Sequence, residues 1–511
     1  MKLAWVAGAA LALAGCNCGH GGSDGGMGGG KGGGSAVGGG SATGGGAGGG
    51  AQPGVLTGHL RAHYWELPDE IIAGDPQITT DVSVLVPLSD GGFEERLVTD
   101  TGDGGFSVEV PDGDVYVKVF ATNSTYIMTS SRDLDLDQVA ILGREAEPAF
   151  DGDPVTLDIS GMQSTREPEI LIVSAATGFY GDAVPDDVPT GSVTSLHDAG
   201  AGYVLTAGGY PDGTAGDQSF VVQWAQVDAG HPLDGGFYQA FGMVRSAAVS
   251  GLALSIDGGV VSAALQQSPF TVLDYTVQGA SFANRATAVS AHPVTTYMYL
   301  TVDESPWASG LPNAFPSYLG DMLSVALDVP GGDLVWSARY VDPFPAAWKR
   351  VMGVTMGVTQ DALLPQTTTG QVFGFISDYR ELASPAVFAP RISPPVLVFV
   401  DGQIGTFGGS LSTLTPQLSW GSPTLGTPQE YEVTVAHLLA VGGNTQHNYE
   451  HTLHTVERKI RIPPGVLQSG ENYLFIVQAS TSADVDLAAH PFFFPIDIGS
   501  AQTLTGIWTA P

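Results

Sequence analysis

Residues 99–119, T-D-T-G-D-G-G-F-S-V-E-V-P-D-G-D-V-Y-V-K-V, decide the fold class of this chain. Apolar and polar residues alternate in two short runs, Phe106–Val110 and Val115–Val119, and each run follows a turn rich in Asp and Gly. Alternation with a period of two is typical of β-strands, and Asp-Gly clusters are typical of the turns between them. The same pattern continues from Val55 to the C-terminus with little helical periodicity. We therefore predict an all-β, multidomain protein.

The composition limits the classes of partner and chemistry. The chain has 511 residues, with 52 acidic and 18 basic side chains and a formal net charge of −34. Such an excess of negative charge argues against nucleic acid, which is bound largely through Lys and Arg. The two cysteines, Cys16 and Cys18, both precede the predicted domains. Structural disulfides and thiol catalysis are therefore not expected there, and stability must come from core burial.

The N-terminus has the features of a secretory signal. Met1-Lys2 is followed by an apolar run, Leu3–Leu13, that is shorter than the ~20 residues needed to span a bilayer. The residues Leu13-Ala14-Gly15-Cys16 resemble the lipobox of bacterial lipoproteins. The resemblance implies cleavage after residue 15 and a diacylated Cys16 that anchors the protein in the lipid bilayer. With Asn17 in place of an aspartate it also implies the outer membrane, on its periplasmic or cell-surface face. The competing interpretation is an ordinary signal peptide with an incidental cysteine.

Residues 16–54 form the predicted tether. Glycine dominates this segment, with Ser, Ala and Thr as its frequent partners, and almost no side chain in it can build a core. A linker of this kind has a root-mean-square reach of roughly 30–35 Å. The sequence G-G-S-D-G, residues 21–25, matches the G-x-S-x-G pattern of serine hydrolases, but that motif needs a preceding strand and a following helix. We assign it no function.

Residues 55–155 carry a T-D-x-x-G-x-F-like hairpin followed by a P-x-G-x-Y turn. This arrangement resembles the carboxypeptidase-regulatory, transthyretin-like β-sandwich, a module that usually acts as a spacer. The resemblance implies positive φ at Gly104 or Gly105 and at Gly113, and core positions for Phe106 and Tyr116.

Two sets of aspartates in this region invite a metal interpretation. The first set could supply oxygen ligands to Ca²⁺, but such residues are also what turns prefer, and we favour turns: Asp100, Asp103, Asp112 and Asp114. The second set alternates with Leu134 and Leu136, which predicts a solvated strand face opposite the leucines: Asp133, Asp135 and Asp137.

Residues 156–391 show a regular spacing of strands. Hydrophobic strand cores begin about every 50 residues: near Ile170, Phe220, Phe270, Met322 and Phe373. A period near 50 with four strands in each unit resembles a β-propeller blade, and a large β-sandwich is the alternative. A regular subset chosen from many strands would produce the same spacing by chance.

Residues 392–511 resemble a fibronectin type III domain. Trp420 lies in an early strand, and Leu467 precedes Tyr473 by six positions in a later one. The resemblance implies that Trp420 packs in the core and that Tyr473 forms a tyrosine corner. The prediction is therefore a β-sandwich at each end of the folded chain.

The sequence H-N-Y-E-H, residues 447–451, matches the inverzincin pattern. That chemistry needs both histidines on one helical face, with His447 and His451 meeting the metal beside Glu450. The flanking residues, including His454, indicate a loop and a strand. On a regular strand the two histidines would share a face but lie roughly 13 Å apart. We therefore assign no metal site, no cofactor and no catalytic residue.

Function is the least determined property. Four tryptophans could stack on sugar rings, although core packing is the more common role: Trp224, Trp307, Trp336 and Trp348. The hypothesis favoured by the sequence is a non-catalytic envelope lipoprotein that binds a protein or carbohydrate ligand, or has a structural role. The alternative is a surface hydrolase of polysaccharide or peptide with its site in the middle region.

Overall fold

The computed structural model describes residues 54–66, 69–74, 78–119, 124–137, 141–144, 146–187, 191–227, 239–305, 321–329, 331–346, 348–383, 385–492 and 495–511. The predicted signal peptide, Cys16, Cys18 and all of the tether except Gly54 lie outside these residues. In the part of the chain that the structure describes, no helix is long and apolar enough to cross a membrane.

The described elements are almost all β-strands, as expected from the alternating pattern. The strands are β1 (Val55–His59), β2 (Arg61–Glu66), β3 (Asp69–Gly74), β4 (Val82–Pro87), β5 (Phe93–Leu97), β6 (Thr99–Gly102), β7 (Gly105–Glu109), β8 (Val115–Val119), β9 (Ser124–Thr129), β10 (Asp133–Asp135), β11 (Ile141–Leu142), β12 (Pro154–Ser160), β13 (Glu169–Ser174), β14 (Phe179–Pro185), β15 (Leu196–Ala207), β16 (Gln218–Gln226), β17 (Gln239–Ser250), β18 (Val260–Ala264), β19 (Phe270–Gln278), β20 (Pro293–Ser305), β21 (Asp321–Asp328), β22 (Asp333–Val341), β23 (Lys349–Asp361), β24 (Gln371–Glu381), β25 (Ala386–Phe388), β26 (Val396–Val400), β27 (Gln403–Ile404), β28 (Gly409–Ser410), β29 (Gln417–Gly421), β30 (Glu430–Val441), β31 (Asn444–Thr455), β32 (Lys459–Arg461), β33 (Asn472–Ser482), β34 (Ile498–Leu504) and β35 (Trp508–Thr509). The α-helices are α1 (Ile78–Asp81), α2 (Gly279–Ala283) and α3 (Ala286–Val289), and 3₁₀ turns cover Gly213–Ala215 and Gly405–Phe407.

The first region is a β-sandwich. One sheet has the order β10-β1-β7-β6, and the other is built by pairing of β5 with β4, β4 with β8 and β8 with β9. The turn predicted from the sequence is present, with φ of 69° at Gly104 and 102° at Gly113. Phe106 packs in the core between the sheets, as expected. Tyr116 is also buried, but on the opposite face of β8, where it joins the core that extends into the C-terminal region.

The middle region is not a β-propeller in the part that is described. Each predicted 50-residue unit does begin with a strand, but strands of successive units pair directly, as β13 does with β16, where Ile170 faces Gln223. Propeller blades are instead separate four-stranded sheets. From one edge the observed ladder runs β18-β12-β15-β14-β13-β16-β17-β21-β20-β23-β24. Hydrophobic residues spaced by 50 therefore mark strands but not repeated folding units.

The alternative arrangement, sheet packed on sheet, is the one observed. A separate sheet of order β22-β19-β25 contributes Leu273 and Tyr275 to the same buried cluster as Met298 of β20 and Val354 of β23. The other half of the ladder encloses its own core, built from alternate residues of β12 to β18 such as Leu157. Two apolar cores thus support the middle region.

The C-terminal region has the strand arrangement of a fibronectin-type sandwich. One sheet has the order β27-β26-β29-β32, and the other pairs β31 with β30, β30 with β33 and β33 with both β34 and β35. Trp420 on β29 is buried, and the hydroxyl of Tyr473 accepts a 2.8 Å hydrogen bond from the backbone N–H of Gln468. This bond is the tyrosine corner expected from the sequence.

One hydrogen-bonded ladder passes through all three regions. β24 of the middle region pairs with β34 over Ile376–Tyr379, and β31 pairs in parallel with β9 of the first sandwich over Ser124–Met128. The regions are therefore joined through their strand edges.

Candidate functional site

The described residues contain a cleft of 840 Å³ between β17 and β18. Most of its lining residues are small and uncharged: Ser246, Ala247, Ala248, Val249, Ser250, Ser262, Ala263, Ala264, Gln266, Gln267, Ser268, Pro269, Asp342 and Pro343. It lies in the middle region, next to the apolar core formed by residues of β12 to β18.

The cleft exists because two strands that are consecutive in the sequence do not form a regular hairpin. Ser246 and Gln266 exchange two backbone hydrogen bonds of 3.1 and 2.9 Å, and there the strands touch. Between them, the loop after Ser250 turns into the core, where Leu252 and Leu254 are buried. The backbone N–H of Leu254 holds the loop there by donating to Pro211 O at 3.1 Å. The strands consequently separate on the loop side of the Ser246–Gln266 bridge.

The backbone of β17 presents hydrogen-bonding groups to the cleft. Backbone polar groups of successive strand residues point to alternate edges. The N–H and C=O of Ser246 point away from β16 toward Gln266, so those of Ala248 and Ser250 point the same way. Neither Ala248 nor Ser250 has a strand partner on that edge among the described residues.

The backbone of β18 faces the cleft from the other side. Leu265 N donates to Ser160 O at 2.8 Å, and Gly259 O accepts from Thr156 N at 2.9 Å. Odd-numbered residues of this strand therefore use their backbone groups on β12. The even-numbered residues Val260, Ser262 and Ala264 present theirs to the cleft, where the described part of the chain offers no strand to pair with them.

The walls contain few groups suited to acid–base chemistry. Asp342 is the titratable residue among those lining the cleft, and both of its oxygens are held by Arg350, at 2.7 Å from Nε and 2.8 Å from an Nη. The hydroxyls of Ser246 and Ser268 lie 3.3 Å apart. The cleft can thus offer backbone hydrogen bonds and hydroxyls to a ligand, but its described lining lacks a paired acid and base.

The H-x-x-E-H sequence lies on β31, which confirms the expected strand, but that strand already begins at Asn444, within the flank expected to be a loop. The expectation that its histidines share a strand face is wrong. A bulge opposite Val435 places His447 across from Leu438 and His451 across from Val435. Positions three apart on β30 point to opposite faces, so the two imidazoles do as well.

Other residues bind the side chains of this segment. Glu450 contacts His437 Nδ1 at 3.0 Å, and Glu430 contacts His454 Nδ1 at 2.6 Å. Burial lowers the pKa of His447 and of His451. These contacts give Glu450 and His454 structural partners.

The structure describes the side chains of two of the four tryptophans that could stack on sugar rings. Trp348 stacks on Phe344 with ring centroids 5.2 Å apart and meets Phe220 edge-on, and Trp224 packs against the same core. Both are packing residues. Trp307 and the side chain of Trp336 lie outside what the structure describes.

The aspartates of the first region behave differently from one another. Asp100 accepts a 2.7 Å bond from the N–H of Gly102, as a turn residue does. Leu134 and Leu136 are buried as expected, but the predicted solvated face is wrong for Asp137, which is 3% exposed and bound by Arg61 and His59. No local sequence pattern predicts this grouping, because His59 and Asp137 are 78 positions apart.

A second carboxyl pair lies in the middle region, on β13 and β14. Burial, followed by the nearby charge of Asp182, raises the pKa of Glu169 well above its usual range, and burial also raises the pKa of Asp182. Neither residue lines the cleft. The pair therefore bears on stability and is separate from the candidate site.

Comparisons with known proteins add little. No protein-family model matches the chain, and no curated protein matches it. The FN1–FN3 domains of chicken CNTN1 are 10% identical to it, with 72% of this chain and 98% of that chain covered and a TM-score of 0.14. A tetra-tandem repeat from the extending region of a large adhesion protein is 12% identical, with coverages of 89% and 99% and the same TM-score of 0.14. At such scores the assignment of the fold rests on the strand pairing described above.

Proposed function

We propose that this protein is a lipid-anchored, non-catalytic recognition protein of the cell envelope that binds a short extended segment of a partner polypeptide in the cleft between β17 and β18. The anchor would be Cys16, and the glycine-rich tether would allow the sandwiches to search for a partner. The proposal includes two family assignments: the chain is a bacterial lipoprotein, and its first sandwich is a carboxypeptidase-regulatory-like module.

The observation that carries the proposal is the pair of strand edges in the cleft. Backbone groups of Ala248 and Ser250 face those of Val260, Ser262 and Ala264 across it. Unpaired strand edges bind extended peptides by main-chain hydrogen bonds, and alternate side chains then confer specificity. The small side chains of the walls leave room for a backbone to approach both edges. A carbohydrate would leave this regular array of donors and acceptors less well matched.

Ser262→Pro and Ala264→Trp are the variants that test the cleft. Proline at position 262 removes an N–H that faces the cleft, and edge positions tolerate proline. Tryptophan at position 264 fills the cleft. Ala253→Trp, at an exposed loop position outside the lining, is the matched control.

A random heptapeptide display library panned on the full chain supplies the probe, and the enriched peptide is then measured by calorimetry. We expect saturable binding that falls at least tenfold in both cleft variants and is unchanged in the control. Enrichment of no peptide, or equal binding by all variants, would reject the proposal. A glycan array run beside it identifies a sugar ligand.

The alternative function, a surface hydrolase, is tested in the same samples. Mass spectrometry of the bound peptide after incubation detects cleavage. Intact peptide supports recognition without catalysis. Cleaved product would favour the hydrolase and direct mutagenesis to the hydroxyls of Ser246 and Ser268, which line the cleft.

A further inference from the structure

The geometry around His59, Asp135 and Asp137 points to a zinc site, which we propose binds one Zn²⁺ ion at the boundary between the first sandwich and the C-terminal region. Within the described residues, these three side chains each place one ligand atom within 4.8 Å of the others. Imidazole nitrogen and carboxylate oxygen are ligands that zinc accepts.

The strand pairing explains why the three residues meet. β1 and β10 run parallel with His59 directly beside Asp135, and the backbone N–H of Leu136 donates to His59 O at 2.9 Å. The backbone N–H of Asp137 then donates to Asp135 Oδ1 at 3.0 Å, which turns the chain back toward the imidazole. The backbone thus fixes the site before any metal binds.

The distances suit a tetrahedral ion. His59 Nδ1 lies 2.8 Å from Asp137 Oδ1 and 3.4 Å from Asp135 Oδ1. Ligand atoms about 2.0–2.1 Å from zinc are roughly 3.3 Å from one another in a tetrahedron. Small side-chain movements would therefore admit the ion between these three atoms, with a fourth position left for water or another ligand.

Two further residues contact the ligand side chains, and an Nη of Arg61 also lies 3.5 Å from Nδ1 and 3.4 Å from Nε2 of His59. Arg61 donates from Nε to both carboxylate oxygens of Asp137 at 3.1 Å and from an Nη to Oδ2 at 2.6 Å. His490 Nδ1 lies 3.2 Å from Asp135 Oδ2, whereas His59 contacts the other oxygen, Oδ1. Partners of this kind orient metal ligands, and their loss typically weakens metal binding 10- to 100-fold.

The charge of the site favours a cation. The two carboxylates carry two negative charges and Arg61 offsets one of them, so a net negative charge remains. Asp137 is 3% exposed, while His59 and Asp135 are 36% and 31% exposed. The site is thus solvent-accessible from the side of His59 and Asp135 and closed behind Asp137, which gives an ion a path of entry.

The location gives the ion a structural consequence. His490 belongs to the C-terminal region, whereas the three ligands belong to the first sandwich. A zinc ion that stiffens Asp135 would therefore also strengthen the contact between the two regions. His490 is a positioning residue in this proposal.

Calorimetric titration of the full chain with ZnCl₂ tests the site. We expect the His59→Ala variant to lose one zinc equivalent relative to the wild-type chain. We expect the Asp135→Asn variant to bind that equivalent at least tenfold more weakly. His197→Ala is the matched control, because His197 pairs with Asp158 at 3.1 Å in an exposed contact that has no second carboxylate. Cys16 and Cys18 are unchanged throughout, so zinc bound by their thiols cancels between variants.

His490 is tested separately through zinc affinity. His490→Ala should weaken the zinc equivalent at least tenfold, and His490→Gln, whose amide can still donate to Asp135, should restore part of it. Far-UV circular dichroism confirms that each variant is folded. Asp135→Asn, at a partly exposed position, decides the matter if His59→Ala fails to fold. Equal zinc stoichiometry and affinity in the wild-type chain and in the folded ligand variants would overturn the proposal.

Discussion

The hydroxyl of Tyr116 accepts a 3.0 Å hydrogen bond from the backbone N–H of Arg461, a residue 345 positions later in the chain. The guanidinium of Arg461 in turn donates to Gly91 O at 3.0 Å. Tyr116 thus fastens the first sandwich to the C-terminal one, beside the parallel pairing of β9 with β31.

Tyr116→Phe should lower the free energy of unfolding by about 1–2 kcal/mol, because it leaves the partly buried N–H of Arg461 without its acceptor. Chemical denaturation followed by tryptophan fluorescence measures this change. Tyr299→Phe, a half-buried tyrosine away from the junction, is the control. Equal effects of the two substitutions would contradict a special role for the Tyr116 bond.

Tyr473→Phe should cost about 1 kcal/mol by removing the acceptor for Gln468 N in the tyrosine corner. The aromatic ring stays in place, so the loss should reflect the hydroxyl alone. Thermal unfolding of the variant and the wild-type chain provides the comparison. A melting temperature unchanged from the wild type would argue that the corner contributes no net stability.

Asp378→Ala should destabilise the protein by about 1–3 kcal/mol, because it removes a buried carboxylate from two partly exposed guanidiniums, of which Arg391 keeps its pair with Asp497. Asp378 is fully buried and forms ion pairs with Arg380 and with Arg391, whose Nε lies 2.7 Å from Oδ1. Glu381→Ala breaks an exposed pair with Lys349 and should cost under about 1 kcal/mol. Denaturant titration of both variants tests the contrast, which a similar loss in each would refute.

The Glu169–Asp182 pair should make the free energy of unfolding depend on pH. This free energy should decrease as the pH rises from about 4, the ordinary carboxyl range, to neutral and mildly alkaline values. Folding raises the pKa of both carboxyls, mainly by burial. Each therefore holds its proton more tightly when folded, and its contribution is lost as pH passes the raised pKa. Glu169→Gln should reduce this loss, as measured by unfolding at pH 5 and pH 8. Asp158→Asn, at a half-exposed position, is the control and should leave the difference in stability between pH 5 and pH 8 unchanged. The same unchanged difference in Glu169→Gln would contradict a role for the pair.

The fold class could be predicted from the sequence because alternation and turn residues act locally. Phe106, Trp420 and Tyr473 were placed correctly for this reason, since each belongs to a short motif whose geometry is set by its neighbours. Tyr116 was predicted to be buried, but the face against which it packs depends on the distant residue Arg461. The spacing from Ile170 to Phe373 located strands without revealing how they pair.

The candidate site could not be predicted from the sequence by the same reasoning. β17 and β18 look like an ordinary hairpin, and their separation depends on Leu252 and Leu254 entering a core formed by other strands. The bulge at Glu450 is likewise invisible in the alternation of β31, yet it reverses the face of every residue before it. In both places long-range packing overrides a local pattern.

The parallel pairing of β9 with β31 has a consequence for the order in which the chain is made. The ribosome completes β9 long before β31 exists, so the first sandwich must wait with one strand edge open while the middle region is synthesised. Open edges recruit strands from other chains. Truncated products that stop before residue 444 would therefore keep the edge of β9 unpaired. By covering that edge, the last part of the polypeptide protects the first sandwich against aggregation.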